Sequence, residues 1–584
     1  MTGLDFDVLL SRVLKPARYT NGEWNAVHKD RGAARVRVAL IYPDVYEVGM
    51  SHLGLHILYH VLNSHSDLLA ERAFAPWPDM EAELRSRGLP LSSLESRAPL
   101  REFDVLGITL PYELTYSNVL NVLDLAGIPI RAADRGQDDP LVIGGGPGAV
   151  NPEPMAEFFD AILVGEGEEA IVEIAEAATA ARRAGKLERL AQIAGVYVPS
   201  RYEGVHDGAG PLGAVVPRNG APERIERRVV EDLDTAPFPT CQLVPFLETV
   251  HSRVTLEIMR GCTRGCHFCQ AGTTYRPLRT RSLETLLRQA EEAVAATGYD
   301  EISLLAFTSV DHPDMRELAR KLVDRFGPRG IGISLPSLRA DAFSVELANT
   351  IQQVRKTGLT FAPEAATERL RRVLGKQLAE DELFAAAEAA FASGWHRLKL
   401  YFMIGLPTET DEDVAAIGDL VQRLVRFARG LLGSRQGRLQ ITVSVSAFVP
   451  KPHTPFQWVG QDRREELARK QTILQETLRG RHLKLSWTDA GTSALEAAIS
   501  RGDRRVGRAI EAAWRAGARF DSWGEHFDFA RWERAFSEAG LRIEDYANAA
   551  LGYDDRLAWD HVSCGVRKDA LRAEAEAALT EGET

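Results

Sequence analysis

The sequence predicts an α/β protein in three parts: a doubly wound parallel sheet, a partial (β/α)6 barrel, and a mostly helical C-terminal region. Three observations carry this. Short apolar runs alternate with helical patterns from Arg35 to about residue 200, as parallel strands joined by crossover helices do. A second alternation starts near Val254 and yields six strands. Between them, residues 201–247 lack periodicity and contain Gly208-Ala-Gly210-Pro211 and Ala236-Pro-Phe-Pro239, which read as a linker. The expected division is a helical lead-in (1–34), the first sheet unit (35–200), the linker (201–247), the barrel (248–485) and the helical tail (486–584).

Each element follows from its pattern. In the first unit, strands are read at Val36–Tyr42, Leu68–Phe74, Asp104–Thr109, Leu141–Ile143 and Ala161–Val164. Helices are read at His52–Leu62, Thr115–Leu125 and Glu168–Ala180. In the barrel, strands start near Val254, Glu301, Ile331, Leu359, Arg397 and Ile441, with helices such as Leu283–Ala296 and Val414–Ala428 between them. The tail carries Trp514, Phe520, Trp523, Phe527, Phe529, Trp532, Phe536 and Trp559, read mainly as core. The first unit and the tail are expected to flank the barrel mouth.

Composition narrows the function classes. The 584 residues are 45% hydrophobic and 26% charged, ordinary for a globular protein and too many for one domain. No apolar run reaches membrane-spanning length, and the acidic, weakly apolar N-terminal stretch does not read as a secretory signal. A net charge of −12 argues against broad salt-driven binding to nucleic acid. Five cysteines are too few for a disulfide framework. Together these predict a cytoplasmic protein with no membrane partner.

Three of the five cysteines stand together, in Cys262-Thr-Arg-Gly-Cys266-His-Phe-Cys269, directly after an apolar strand. Three thiolates from so short a loop can hold one face of a 4Fe–4S cluster and leave one iron open, whereas an electron-carrying cluster normally closes all four positions. The competing reading is structural zinc with His267 as fourth ligand; a side chain inside so tight a loop reaches its neighbours' metal with difficulty. Cys241 and Cys564 are too few to build a second, fully cysteine-ligated cluster.

Alternation identifies the residues that line the barrel. Thr360, Ala362 and Glu364 share one face of the fourth strand, Arg397, Lys399 and Tyr401 one face of the fifth, and Thr442, Ser444 and Ser446 one face of the sixth. Polar residues on three strands point to a wet, ligand-filled interior. Arg339, after the third strand, is a candidate partner for a carboxylate. Arg276, Arg279 and Arg281 are candidates for an anion, and His453, Gln457 and Trp458 in the proline-rich loop either meet substrate or plug the barrel.

The cysteine spacing, with Phe268 before the last cysteine, resembles the signature of the radical S-adenosylmethionine (radical SAM) enzymes. Phe361-Ala-Pro-Glu364 resembles that family's fourth-strand motif, and Gly405-Leu-Pro407 its fifth-strand turn. The resemblance implies that Cys262, Cys266 and Cys269 bind a 4Fe–4S cluster whose open iron chelates S-adenosylmethionine. It implies that an electron from the cluster splits that molecule to a 5′-deoxyadenosyl radical, and that Glu364 takes the ribose hydroxyls. Phe268, Arg339, Lys399 and Gly405 complete the expected S-adenosylmethionine contacts. Residues 299–310 lack the Gly-Gly-Glu motif common on the second strand, so the methionine amino contact falls to Ser303, Thr308 or Ser309. An electron donor such as flavodoxin or ferredoxin is implied as partner.

The glycine-rich loops of the first unit resemble those of the flavodoxin-like cobalamin-binding domain that often precedes such barrels. They are Asp44-Val-Tyr46-Glu-Val-Gly49, Gly144-Gly145-Gly146-Pro-Gly148 and Gly165-Glu166-Gly167. Asp44, Tyr46, Gly49, Gly144, Gly145, Gly165 and Glu166 are the candidate cobalamin contacts. Tyrosine replaces the histidine that ligates cobalt, so either cobalamin binds without that ligand or the domain has lost it. With Tyr42-Pro-Asp44-Val-Tyr46-Glu-Val-Gly49, Phe361-Ala-Pro-Glu364-Ala-Ala-Thr367 and Lys451-Pro-His453-Thr-Pro-Phe-Gln457-Trp458, roughly residues 30 to 580 resemble a subfamily of radical SAM proteins of unassigned substrate. Methyl transfer to an unactivated carbon is expected if cobalamin binds, hydrogen abstraction with rearrangement or oxidation if it does not, and a non-catalytic sensor is the reading from another class. A small molecule is the preferred substrate over RNA. Cys564 is a lone cysteine that could carry a hydrogen atom or an alkyl group.

Overall fold

In the computed structural model, residues 3–206, 213–335, 347, 359–433, 437 and 439–583 are described. The first sheet is built on β1 (Val36–Tyr42), whose residues are buried except Arg37. It pairs in parallel with β2 (Leu68–Phe74), Val36 opposite Leu68, and with β3 (Val105–Thr109). The sheet continues through β4 (Leu141–Gly145) and β5 (Ala161–Leu163) to β6 (Val196–Tyr197), in the order β2-β1-β3-β4-β5-β6. Only β6 is antiparallel, and it is the one strand of this sheet that the sequence pattern did not announce. Burial on both faces is what a parallel sheet covered by helices requires.

The two faces are covered by different parts of the chain. One packs on helices Leu53–Ser64 and Ala170–Ala177. The other packs on helix Tyr116–Leu125, and that layer is completed by the tail helices Ala490–Ser500, Val506–Arg515 and Phe529–Glu538. Leu495, Ile510, Phe520, Trp532 and Phe536 thus share one core with Leu106, Ile108 and Leu123. Most of the tail's aromatics therefore complete the first unit rather than roofing the barrel. The last helix, Lys568–Glu583, differs: its Ala578 packs with Leu370, Val373 and Phe456.

The linker is likewise held. Tyr202–His206 and Gly213–Pro217 pair as antiparallel strands; Gly208-Ala-Gly210-Pro211 lies outside the described residues. Ile225–Glu226 pairs with Val562–Ser563 of the tail, and Gly165 bridges to Arg228.

The barrel's six expected strands are present. β7 (Val254–Glu257), β8 (Glu301–Leu305) and β9 (Gly332–Ser334) form one parallel sheet. β10 (Leu359–Glu364), β11 (Arg397–Ile404) and β12 (Gln440–Ala447) form another, extended by a seventh strand, β13 (Leu483–Trp487). On β11 the alternation decides both surfaces. Leu398, Leu400, Phe402 and Ile404 pack on helices Glu380–Ala392 and Asp411–Leu432, while Arg397 and Tyr401 are exposed and Lys399 half-buried on the opposite face. Helix Asp411–Leu432 starts on a reciprocal cap: Thr410 Oγ1 accepts from the Asp413 amide, and Asp413 accepts from the Thr410 amide. Among the described residues no helix is long and apolar enough to cross a membrane.

Candidate functional site

The cysteine loop leaves β7 at its carboxyl end, where parallel strand–helix folds gather ligands. Its entry needs glycine: Gly261 has φ +90°, and a Cβ there would lie 2.8 Å from the Tyr275 and Pro277 carbonyls. The Cys269 amide donates to the Cys266 carbonyl at 3.0 Å, and the Gly272 amide donates to Cys269 Sγ at 3.3 Å. His267 is held on the far wall of the loop's surroundings: its Nδ1 lies 2.8 Å from the Val373 carbonyl, and its ring meets Phe456 edge-on. Phe268 packs, half-buried, against the group that includes Leu370, Phe448 and Phe456.

Burial pushes the Cys266 thiol up to about 11; the Lys376 ammonium opposes that shift, and Cys269, Glu364 and Cys262 add to it. Cys269 is raised by burial as well, against the pull of the Gly272 amide. The three cysteines, Glu364 and Lys376 are thus within electrostatic reach of one another. Among the described residues no trio of His, Cys, Asp or Glu stands in metal-binding geometry. Neutral thiols have no reason to converge, because ligation requires the thiolate. The donor chemistry nevertheless fits: three sulfurs in one short loop with a cation close by.

Glu364 ends β10 after an irregularity in its pairing with β11. Its φ of +68° is the left-handed region that a non-glycine residue adopts only where its surroundings impose it. Burial raises its carboxyl above the usual range, and Lys376, 3.4 Å away, opposes that. Lys376 was not marked by any sequence motif; only the fold places it there. Lys399 stands on the open face of β11 with its Nζ 4.5 Å from the Tyr401 ring centre. Thr360, Thr442 and Ser444 are half-buried and Ser446 exposed on the same surface, which is the wet interior the alternation predicted. Gly405 has φ +77°, and its amide donates to Glu409 at 2.6 Å. Arg339 lies outside the described residues. Ser303 and Ser309 are buried, and the Ser309 hydroxyl donates to the Leu304 carbonyl.

The first unit's loops contrast with this open surface. Tyr46 is 3% exposed, and its hydroxyl donates to Glu23 at 2.9 Å. Asp44 accepts from the Val45 amide and from Trp523 Nε1 at 3.0 Å. A Cβ on Gly49 would lie 2.4 Å from the Phe74 ring, on Gly144 3.2 Å from Phe159, and on Gly165 2.2 Å from the Arg228 carbonyl. Gly145 is half-buried against Leu163. Glu166 takes both terminal nitrogens of Arg279 at 2.7 Å and the Val230 amide at 2.6 Å, with Arg260 and Arg227 at 3.4 and 3.5 Å. Asp44, Tyr46 and Glu166 are thus partnered from within the chain, and Gly49, Gly144 and Gly165 are closely approached by it, while Gly145 has only ordinary contacts.

Other candidates also prove structural. Arg281 is fully buried and donates to the Leu233 carbonyl, and Arg279 belongs to Glu166. His453 Nε2 contacts the Val150 carbonyl at 2.9 Å, Gln457 accepts from Trp559 at 2.7 Å, and Trp458 is buried. That proline-rich loop therefore plugs rather than presents. Arg276 and Cys564 remain near the chemistry: with Cys262, Thr263, Arg227 and Pro277 they line a cavity of ≈ 660 Å³. The Cys564 thiol is pushed up to about 12 by burial, against Arg227.

Comparison with known proteins follows the same division. Residues 256–421 match the family model described as the Radical SAM superfamily, and residues 54–199 the one described as Radical SAM proteins, N-terminal. Uncharacterized protein MJ0966 of Methanocaldococcus jannaschii is 28% identical over 477 residues, 81% of this chain and 90% of that protein. The tRNA-2-methylthio-N(6)-dimethylallyladenosine synthase of Sorangium cellulosum is 27% identical over 222 residues, 34% of this chain and 42% of that protein. Among solved structures, the radical S-adenosylmethionine methyltransferase TsrM from Kitasatospora setae, with cobalamin and a [4Fe-4S] cluster bound, gives a TM-score of 0.48 at 17% identity. It covers 70% of this chain and 75% of that chain. The cobalamin-dependent enzyme OxsB with aqua-cobalamin and S-adenosylmethionine bound gives 0.48 at 12% identity, covering 94% and 79%.

Proposed function

We propose that this chain, a radical SAM protein, is an enzyme that cleaves S-adenosylmethionine reductively at Cys262, Cys266 and Cys269. When bound to those thiolates, a 4Fe–4S cluster supplies the electron for that cleavage. The observation that carries the reading is the gathering of the three cysteines, Glu364 and Lys376 beside a polar, open barrel face.

The chain's residues then have distinct tasks. The cysteine sulfurs hold the metal, and Lys376 favours the ionised form of Cys266 and Cys269. The Glu364 carboxylate accepts two hydrogen bonds from a vicinal diol, the ribose of S-adenosylmethionine. Gly405 lets the backbone approach closely, and Phe268, Lys399 and Arg339 are the remaining contacts assigned to this ligand. A flavodoxin or ferredoxin is the electron source. The substrate is assigned to the small-molecule class.

Between methyl transfer with a corrinoid and hydrogen abstraction without one, the residues favour hydrogen abstraction. Asp44, Tyr46 and Glu166 are already spent on Trp523, Glu23 and Arg279. Methylthiolation, named for some relatives, is not proposed, because Cys241 and Cys564 cannot close a second all-cysteine cluster.

Anaerobic reconstitution with iron and sulfide, reduction, and assay of 5′-deoxyadenosine tests the reading. Product is expected from the wild type, with a severalfold drop in Glu364→Gln. Protein that holds a full cluster yet releases no 5′-deoxyadenosine would point to a sensor and overturn the enzymatic assignment.

A further inference from the structure

The cavity of ≈ 660 Å³ beside Cys262 has the size of a small-molecule site, and its charges are uneven. Its charged lining is Arg227, Arg276 and the exposed Glu226. Val229, Pro277 and Leu278 give it an apolar wall. The lining takes Cys262 and Thr263 from the cysteine loop, but neither Glu364 nor Lys376. An occupant therefore meets the loop elsewhere than the proposed ribose contact does.

Arg276 is set up to receive an anion. Its Nε donates to the Gly272 carbonyl at 3.0 Å, which fixes the plane of the guanidinium. Its two terminal nitrogens have no partner among the described residues, and neither is sealed from solvent. A guanidinium held through Nε presents that terminal pair to two oxygens of one carboxylate or phosphate. Because the group is already oriented, little rotamer freedom is lost when the anion arrives.

Arg227 adds charge rather than donors. One terminal nitrogen donates to the Arg276 carbonyl at 2.6 Å, and the other lies 3.5 Å from Glu166. Glu166 is already held by both terminal nitrogens of Arg279 at 2.7 Å. Burial, with Arg279 adding to it, pulls the Arg227 guanidinium below its usual range, and Glu166 and Cys564 restore it only in part. The one carboxylate in the lining, Glu226, is exposed and so is screened by water and salt. The lining keeps an excess of positive charge.

We propose that this cavity binds a small organic oxyanion, a carboxylate or a phosphate ester, whose head accepts from the terminal nitrogens of Arg276 and whose apolar stem lies on Val229, Pro277 and Leu278. A neutral alcohol would leave the charge unbalanced, and an amine would be repelled. Joined to the enzymatic reading, the site makes the substrate an anionic small molecule, and that step rests on that reading. Binding itself requires no cleavage of S-adenosylmethionine, so its failure and the failure of the enzymatic reading are distinguishable.

The test is calorimetric titration of the full-length protein at constant ionic strength, before and after reconstitution with iron and sulfide. The matched probes are n-hexanoate, n-hexyl phosphate, n-hexanol and n-hexylammonium. Saturable binding is expected from the anions and from neither of the others, and the tighter anion identifies the head group. Arg276→Gln is expected to weaken it about tenfold. Glu226→Gln removes the carboxylate from the lining and is expected to strengthen it about threefold. Saturating S-adenosylmethionine should leave the affinity unchanged. No saturable anion binding at concentrations on the order of 10 mM, or an equal response to all the probes, overturns the proposal. Displacement by S-adenosylmethionine would make Arg276 a contact of that molecule's own carboxylate and overturns it too. So does binding that is lost on reconstitution, which would make the cavity the cluster's own space. Unchanged affinity in Arg276→Gln is equally fatal. Should that variant lose its circular dichroism, Glu226→Gln decides, and unchanged or weaker binding there overturns the proposal.

Discussion

The sheet of the first unit and the barrel sheet β10–β13 end in opposite conditions. Above the first, every polar side chain that the sequence marked as a ligand contact is taken: Asp44 by Trp523, Tyr46 by Glu23, Glu166 by Arg279. On the second, Lys399, Thr442, Ser444 and Ser446 stand on a surface that water reaches. The same strand–loop–helix grammar therefore serves two purposes. A polar residue is a structural device where a neighbouring segment supplies its partner, and it is available for chemistry where none does. The tail supplies part of the difference: its Phe520 and Trp523 pack against Trp77, and Trp523 holds Asp44.

The largest effect should come from the open side. Cys266→Ala is expected to drop iron in anaerobically reconstituted protein from about four per chain to near none, with no 5′-deoxyadenosine formed. Iron retained in a triple Cys262, Cys266 and Cys269 variant would move the cluster elsewhere and erase the contrast between the sheets.

The closed side should answer in stability instead. Arg72 is fully buried between Glu23 and Glu95, at 3.1 and 2.6 Å. Arg72→Met leaves both carboxylates without their cation and is expected to cost about 3–5 kcal/mol. Lys399→Met, on the open face, is expected to stay within about 0.5 kcal/mol while lowering 5′-deoxyadenosine formation. Chemical denaturation with a matched activity assay checks both. Equal losses of stability would show that the barrel face is as tightly packed as the first unit.

Much of this division was legible in the sequence, and the illegible part has a physical cause. Period-two alternation on β11 correctly assigned Lys399 and Leu400 to opposite faces, since pleating leaves no other choice. The cysteine spacing identified its loop because ligation demands local geometry. The internal partners of Tyr46 and Glu166 were not legible, because a ligand loop and a structural loop share glycines and carboxylates. What separates them is the partner, and here the partner comes from distant chain: Glu23, Arg279 and Trp523. Lys376 was missed for the same reason. β13 was not announced because three of its five residues are exposed, so it lacks the burial that makes an apolar strand signal.

A corrinoid sharpens the comparison further. Protein purified after growth with supplied cobalamin is expected to show no stoichiometric corrinoid band, since Gly165 and Glu166 are occupied by Arg228 and Arg279. A stoichiometric band would mean that these contacts open, making the closed sheet a switchable one. Tyr46→His, which withdraws the hydroxyl from Glu23, should not create the band by itself.

A further expected effect is on acid stability, and it should arise on the closed side. His52 and His56 belong to the start of helix Leu53–Ser64, and His453 lies where the proline-rich loop meets Val150. Burial lowers all three from 6.5 to about 4. Asp560 favours the charged form of His453, and His561 and Arg224 oppose it; Arg72 and His52 likewise oppose the charging of His56, against Glu23 and the Met50 carbonyl. In the unfolded chain these rings take up protons near pH 6.5, while the folded protein holds them neutral until about pH 4. Their contribution to stability is therefore complete above about pH 6.5 and lost as pH falls towards 4. The melting temperature should fall across that window, and His453→Gln should flatten part of the fall if the replacement keeps the contact with Val150. Lys399→Met should leave the pH profile unchanged in shape. A profile that is flat from pH 6.5 to 4 in the wild type would mean that these rings are already charged or already wet, and that the first sheet is less sealed than its contacts imply.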